Sequence, residues 1–251
     1  MLDSGALTKY LLYAIGEIAL VVVGILIALQ INNWNIDRLN RISEREGLAR
    51  IVQDLEKDLQ DLSLSQRTDD LRLLRGVQVL EALNVNASRI KTWKAYEIAK
   101  NNLINEDSPE ERSFGELLMS LRIYFLFEES NATFQEFLST GKLDMIRDVE
   151  LRASIQSYYT RLERQTSHQD LLQKNRNELV RYLQKDGISA MNRMDLEQVM
   201  NQIEDKEQLV AIIENVLDGT RLNYDRLILR EGSLQQDWTK ALIDRIERYL
   251  E

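Results

Sequence analysis

Residues 11–31 read LLYAIGEIALVVVGILIALQI and carry a single charge, Glu17. About 21 residues at 1.5 Å each span roughly 30 Å, the thickness of a bilayer's hydrocarbon core. Tyr10 and Tyr13 stand at one end and Trp34 at the other, where amphipathic rings prefer the interface. Immediately beyond lie Asn32, Asn33, Asn35, Asp37 and Arg38. A cleavable signal peptide fits less well, because the run exceeds a typical apolar h-region, only Lys9 precedes it, and no small-x-small site follows Ala28. A buried core helix would need a large enclosing domain around Val21, Val22 and Val23. The expectation is a transmembrane helix over 11–34, with a flank at 1–10 and a soluble helical domain at 35–251.

Outward from that stretch, the composition is that of a helical chain. One proline, Pro109, and ten glycines occur in 251 residues, and Leu, Glu, Gln, Arg, Lys and Ala dominate. Proline removes an N–H and clashes with the preceding turn, so a chain nearly free of it can be helical almost throughout. After the anchor, Leu48, Val52, Leu55, Leu59 and Leu62 recur at 4-3-4-3 spacing, an amphipathic stripe or short coiled-coil seam. It predicts a stalk helix to about residue 83, with Gly47 as a point for a bend. Asn84-Val85-Asn86 reads as a turn and residues 105–112 as a loop. Helices are expected over 87–103, 114–127, 149–184, 194–203, 206–217 and 222–249. Asn131 is placed to cap one more, and Gly141 to end it. Gly219 reads as a break, and Trp238, Leu242, Ile246 and Tyr249 form the last helix's stripe. No sustained alternation bounded by turn residues appears, so no sheet is expected. The fold class is all-α: one transmembrane helix continuing into an elongated antiparallel helical bundle.

The net charge of −9 argues against nucleic-acid binding, which needs a positive surface to displace counterions from phosphates. With no cysteine, disulfides, thiolate metal sites and cysteine nucleophiles are excluded. The one histidine, His168, sits in a polar stretch outside any metal-binding spacing and reads as a surface residue. No Walker, GxGxxG or GxSxG motif occurs. The pairs Glu110-Glu111 and Glu128-Glu129 are adjacent on the chain, and adjacent helix positions do not face each other. Tyr158-Tyr159 reads as one core ring and one ring at its rim. No catalytic, cofactor or metal residue is therefore assigned, and an enzyme built from scattered acids is not adopted.

The membrane helix supplies the candidate functional residues instead. Gly24 and Ala28 make a small-xxx-small pair that lets two helix backbones approach closely, with Gly16 two turns earlier on nearly the same stripe. Glu17 lies inside the apolar run, where an ionised carboxylate is costly unless paired or water-facing. Glu17, Gly24 and Ile31 recur every seven residues. Asn32, Asn33 and Trp34 gather amide groups and an anchoring ring where the helix leaves the bilayer. The reading is a non-enzymatic, membrane-anchored protein that self-associates and acts in scaffolding, sensing or partner binding. The alternative is a small homo-oligomeric channel or mechanosensor with Glu17, Gln30 and Asn33 near the pathway. Partners are the lipid bilayer, a second copy and an unidentified protein. Charge around the span, with Arg38, Arg41 and Arg45 after it, slightly favours a cytoplasmic C-terminal domain.

The motif YAIGE at 13–17, followed by GILIALQINNWN at 24–35, resembles a large family of bacterial single-pass membrane proteins known only as a domain of unknown function. A second similarity is FLSTGKL at 137–143, then Leu151-Arg152 and Tyr158-Tyr159. The resemblance implies a bacterial inner-membrane location with the C-terminal domain outside the cytoplasm. It carries no activity and assigns no residue roles.

Overall fold

A computed structural model describes residues 4–103, 112–166, 169–188, 193–230 and 233–251, with the side chains of the first helix described from Ile15 onward. The chain is all-α, built on a long N-terminal helix against which the other helices pack. This helix, α1 (Ser4–Ala82), runs for 79 residues. Its helical hydrogen bonding continues unbroken through Gly47, so the residue serves packing rather than a break. A Cβ there would lie 2.0 Å from Cζ of Phe137. From Ile15 to Leu39 every side chain of α1 is exposed. Burial begins at Glu44, and from there Leu48, Ile51, Leu55 and Leu62 are fully covered. The seam expected from 4-3-4-3 spacing is thus an inward stripe of the bundle, with Val52 and Leu59 at its edges.

The chain turns at Asn84, in the left-handed region at φ 58°, as the Asn-Val-Asn turn predicts. The helix expected over 87–103 is divided into α2 (Ser88–Lys91) and α3 (Lys94–Leu103). The Thr92 hydroxyl closes the first piece by donating to the Arg89 carbonyl at 2.7 Å. Then α3 runs back along α1, with Asn102 opposite Asp70. Next, α4 (Phe114–Ser120) opens with a capping box between Ser113 and Glu116. It stops seven residues short of the expected Phe127. Instead, residues 123–131 are non-helical, and side chains from elsewhere satisfy their backbone: Arg72 bonds the Ile123 carbonyl, Gln169 the Phe127 carbonyl, and Asp58 the Ser130 N–H.

Asn131 sits at the N-cap of α5 (Ala132–Thr140), but its side chain donates to Glu129 rather than capping the helix. The capping acceptor comes from α1, where Asp54 takes the Thr133 N–H at 3.3 Å. Gly141, at φ 68°, ends α5 as expected. After a 3-10 turn, Lys142–Met145, come α6 (Val149–Thr166) and α7 (Gln169–Lys185) in place of one helix to residue 184. His168 and the 105–111 part of the expected loop, with Pro109 and Glu110-Glu111, lie outside the described residues.

Two short expected helices appear as α8 (Leu196–Gln202) and α9 (Lys206–Asn223). Gly219 does not break α9, because it is a close-approach site where a Cβ would meet Asn175 Nδ2 at 2.8 Å. The final helix, α10 (Gln235–Leu250), begins thirteen residues later than the expected Leu222. A π turn, Tyr224–Ile228, and a two-residue antiparallel pair, β1 (Leu229–Arg230) with β2 (Ser233–Leu234), occupy the interval. Leu242 and Ile246 of the expected stripe are buried, Tyr249 is half-buried, and Trp238 is exposed.

Both α9 and α10 run antiparallel to α1. Gly76 faces Leu217 while Asp69 bonds Asn223; Gln66 bonds Gln236 while Glu44 bonds Tyr249. The bundle therefore wraps the C-terminal half of α1, from Glu44 onward. Replacing Gly47 with alanine tests the Phe137 contact. Despite alanine's better helix propensity, Gly47→Ala should destabilise the bundle by about 1–3 kcal/mol, because overpacking a filled core forces rotamers and backbone to shift. Denaturant unfolding of wild type and variant measures this.

Candidate functional site

Along the N-terminal part of α1 the helix geometry decides which candidate residues can act together. Gly16, Glu17, Gly24, Ala28, Gln30, Asn32, Asn33 and Trp34 are all exposed. A Cβ on Gly16 or Gly24 would meet nothing within 4 Å. At about 100° per residue, Glu17, Gly24, Ala28 and Ile31 lie on one side, while Gly16 is about 80° round from Gly24. Gln30 and Asn33 project about 140° and 160° from Glu17. The three polar residues of the channel alternative are thus spread around the helix rather than gathered on one face. The structure shows a helix long and apolar enough to cross a membrane.

Inside the bundle, α1 presents a second set of residues. Glu44, Asp58, Gln66, Asp69, Asp70 and Arg72 point inward and are buried. Each ties α1 to other elements. Glu44 accepts from the Arg147 N–H at 3.0 Å and the Tyr249 hydroxyl at 2.7 Å. Asp58 accepts the Ser130 N–H at 2.6 Å and the Tyr158 hydroxyl at 3.0 Å. Asp69 accepts from Asn223 at 2.6 Å and pairs with Arg72 at 3.0 Å. Arg72 in turn donates to Thr220 at 3.1 Å and to the Ile123 carbonyl. Asp70 accepts from Asn102 at 2.8 Å and faces the Tyr224 hydroxyl.

No known protein family, curated protein or solved structure matches the chain.

Burial acts strongly on these carboxyls, since removing a charge from water disfavours the ionised form. Desolvation raises Asp58 to about 7, against the pull of its bonds from Ser130 and Tyr158. It raises Asp69 and Asp70 to about 6, although Arg72 and Asn223 oppose it at Asp69 and Asn102 at Asp70. Desolvation also lowers the Arg72 guanidinium, partly offset by Asp69. Glu136, near the surface, is by contrast held at about 2 by hydrogen bonds from Arg50 and Lys142. An unfolded aspartate titrates near 3.8. Between that value and pH 6–7, the folded chain holds protons that the unfolded chain does not. These three groups therefore favour folding as pH falls through that window.

Surface hollows are modest. A cleft of about 350 Å³ lies beside Asp70, Asn102 and Gln236, and one of about 340 Å³ is bordered by Glu129, Phe134, Tyr159 and Glu163. Tyr159 is not a rim residue, since it is 2% exposed and stacked on Phe134 at 4.4 Å, with Tyr158 edge-on at 5.2 Å. Among the described residues, no group of three or more metal-ligating acids or histidines is arranged to hold an ion. Sequence reasoning missed the inward polar row of α1. Its signal is polar residues continuing the buried register of Leu55 and Leu62, which apolar periodicity alone passes over.

Removing one member of the Asp69–Arg72 pair leaves the other buried without its ion-pair partner. Arg72→Met should cost about 3–5 kcal/mol of stability, and adding Asp69→Asn should recover part of the loss. Denaturant midpoints of the two single variants and the double variant complete the cycle.

Proposed function

We propose that this chain is a single-pass membrane protein, non-enzymatic, that self-associates through its membrane helix and displays a helical bundle for scaffolding, sensing or partner binding. One observation carries the reading. The exposed apolar segment and the central helix of the bundle are one uninterrupted α-helix. In water, seventeen consecutive exposed positions from Ile15 to Ile31, nearly all apolar, would cost far more than any ordinary surface tolerates. In a bilayer they need no cover.

Helical phase supports self-association. Gly24 and Ala28 project about 160° from the side of α1 that carries Leu48, Leu55 and Leu62. A second copy could reach the small-residue face without meeting the bundle. Copies threaded once through the same membrane are parallel, so the same residues meet at the same depth. The inward polar residues of α1 serve as ties between helices, consistent with a structural role for the bundle. The YAIGE and INNWN resemblance favours a bacterial inner membrane with the bundle outside the cytoplasm.

The experiment is the mass of detergent-solubilised protein by light scattering, with the bound detergent subtracted. A defined oligomer should fall to monomer in Gly24→Leu, and a monomer in both proteins refutes self-association. Sidedness is read separately. The chain has no cysteine, so Leu138→Cys, at an exposed position of α5, reports by itself. A membrane-impermeant maleimide should label it in intact cells stripped of any outer barrier. Labelling only after lysis places the bundle in the cytoplasm.

A further inference from the structure

Three pieces of chain border the hollow of about 340 Å³. The segment before α5 supplies Glu129 and Asn131, α5 supplies Phe134 and Leu138, and α6 supplies Tyr159 and Glu163. Its volume is within the range of small-molecule sites, about 300–1,000 Å³. Two of the lining residues carry a buried oxygen with no hydrogen-bond partner: the Tyr159 hydroxyl and Oε2 of Glu129. The other Glu129 oxygen, Oε1, accepts from the Asn131 amide at 2.9 Å. Tyr159 is almost wholly buried, and its ring stacks on Phe134. That stack needs only the ring. A phenylalanine would make it without burying a hydroxyl, and a buried polar group left unpaired costs free energy. Buried polar side-chain atoms nearly always have partners, so two unpaired oxygens bordering one hollow point to a donor that belongs there.

We propose that this hollow binds a small aliphatic amine in its ammonium form, with Glu129, Tyr159 and Glu163 as its acceptors. A primary ammonium carries three N–H donors and no acceptor. Oε2 of Glu129, the Tyr159 oxygen and the Glu163 carboxylate match that set. Hydrogen bonds from a cation to a carboxylate are roughly twice as strong as neutral ones. The alkyl part lies against Phe134 and Leu138, apolar surface that a bare metal ion could not use. The donor set likewise suits an ammonium better than a divalent metal, because only two of the lining side chains are carboxylates.

The charges around the hollow have the sign this ligand needs. Burial, with Asp58, Asp54 and Glu129 close by, raises the Tyr159 phenol, so it stays a neutral hydroxyl whose oxygen can accept. Burial and the like charge of Glu163 raise Glu129, and an arriving ammonium relieves that repulsion. The lining elements bring no cation of their own to these oxygens. No basic residue occurs in α5. On α6, Arg152 pairs with Asp144, Arg161 bonds Gln235 and the Leu229 carbonyl, and Arg164 bonds back to the Thr160 carbonyl.

The test uses the full-length protein in a neutral detergent, with butylammonium chloride as the probe and ligand-observed NMR as the readout. Wild type should bind it saturably, with a dissociation constant in the millimolar range for so small a ligand. Two controls need no variant. 1-Pentanol, similar in shape but uncharged, and tetramethylammonium, charged but without N–H groups, should each bind about tenfold more weakly or worse. Glu129→Gln removes the charge and should weaken butylammonium by about tenfold. Tyr159→Phe keeps the stack and should weaken binding by about threefold or more, while the ligand-free denaturant midpoint stays level or rises. A hydroxyl with a purely structural role would give the reverse, a lower midpoint and unchanged affinity. Uptake of the amine by detergent is common to all three proteins and drops out of the comparison. No saturable binding to wild type, equal affinity in Glu129→Gln, or equal binding of pentanol would overturn the site. None of these outcomes bears on membrane insertion or self-association, which rest on residues 15–31.

Discussion

The phase of a single helix governs this protein. Backbone hydrogen bonding along α1 fixes each side chain's direction about 100° from the last, without interruption from the apolar segment to Ala82. Because nothing resets that phase, the side of α1 that receives the bundle also determines which side of the apolar segment stays clear of it. Leu48, Leu55 and Leu62 receive the bundle. Gly24 and Ala28 are left facing the other way. A kink at Gly47 would have cut this relation, and the residue is instead the floor on which the Phe137 ring lies.

The bundle is attached to α1 by two kinds of force at once. Leu and Ile side chains supply the non-directional part, and the carboxylates supply direction. Glu44, Asp54, Asp58, Asp69 and Asp70 accept bonds from seven different elements or connecting segments, three of them through backbone N–H groups. This is why residues 123–131 can remain non-helical inside an all-α protein. Their polar backbone atoms find partners on α1 and α7 rather than in a sheet. The same arrangement puts carboxyls with raised pKa values at the joints between α1 and the elements packed on it.

Much of the architecture was legible in the chain itself. The apolar run, the scarcity of proline and the 3.6-residue spacing specify a long N-terminal helix and helices throughout, because these are local properties of backbone and side chain. The turns at Asn84 and Gly141 follow from the left-handed conformations that asparagine and glycine tolerate. The face of the apolar segment that carries Glu17, Gly24, Ala28 and Ile31 is equally a matter of spacing.

Other features required the folded chain. Gly219 has the local signature of a breaker, yet it lies within α9 because Asn175 approaches its backbone. Residues 121–127 have helical composition, yet Arg72 and Gln169 bond their carbonyls. The inward row from Asp58 to Arg72 looks like an ordinary charged helix face until Ser130, Tyr158, Asn223 and Thr220 arrive from between 70 and 160 residues away. Sequence alone determined what each segment prefers, since those preferences are set within a turn or two of helix. Only tertiary structure decided which polar groups are buried together, because the cost of leaving a donor or charge unpaired is incurred only once distant segments exclude water from it.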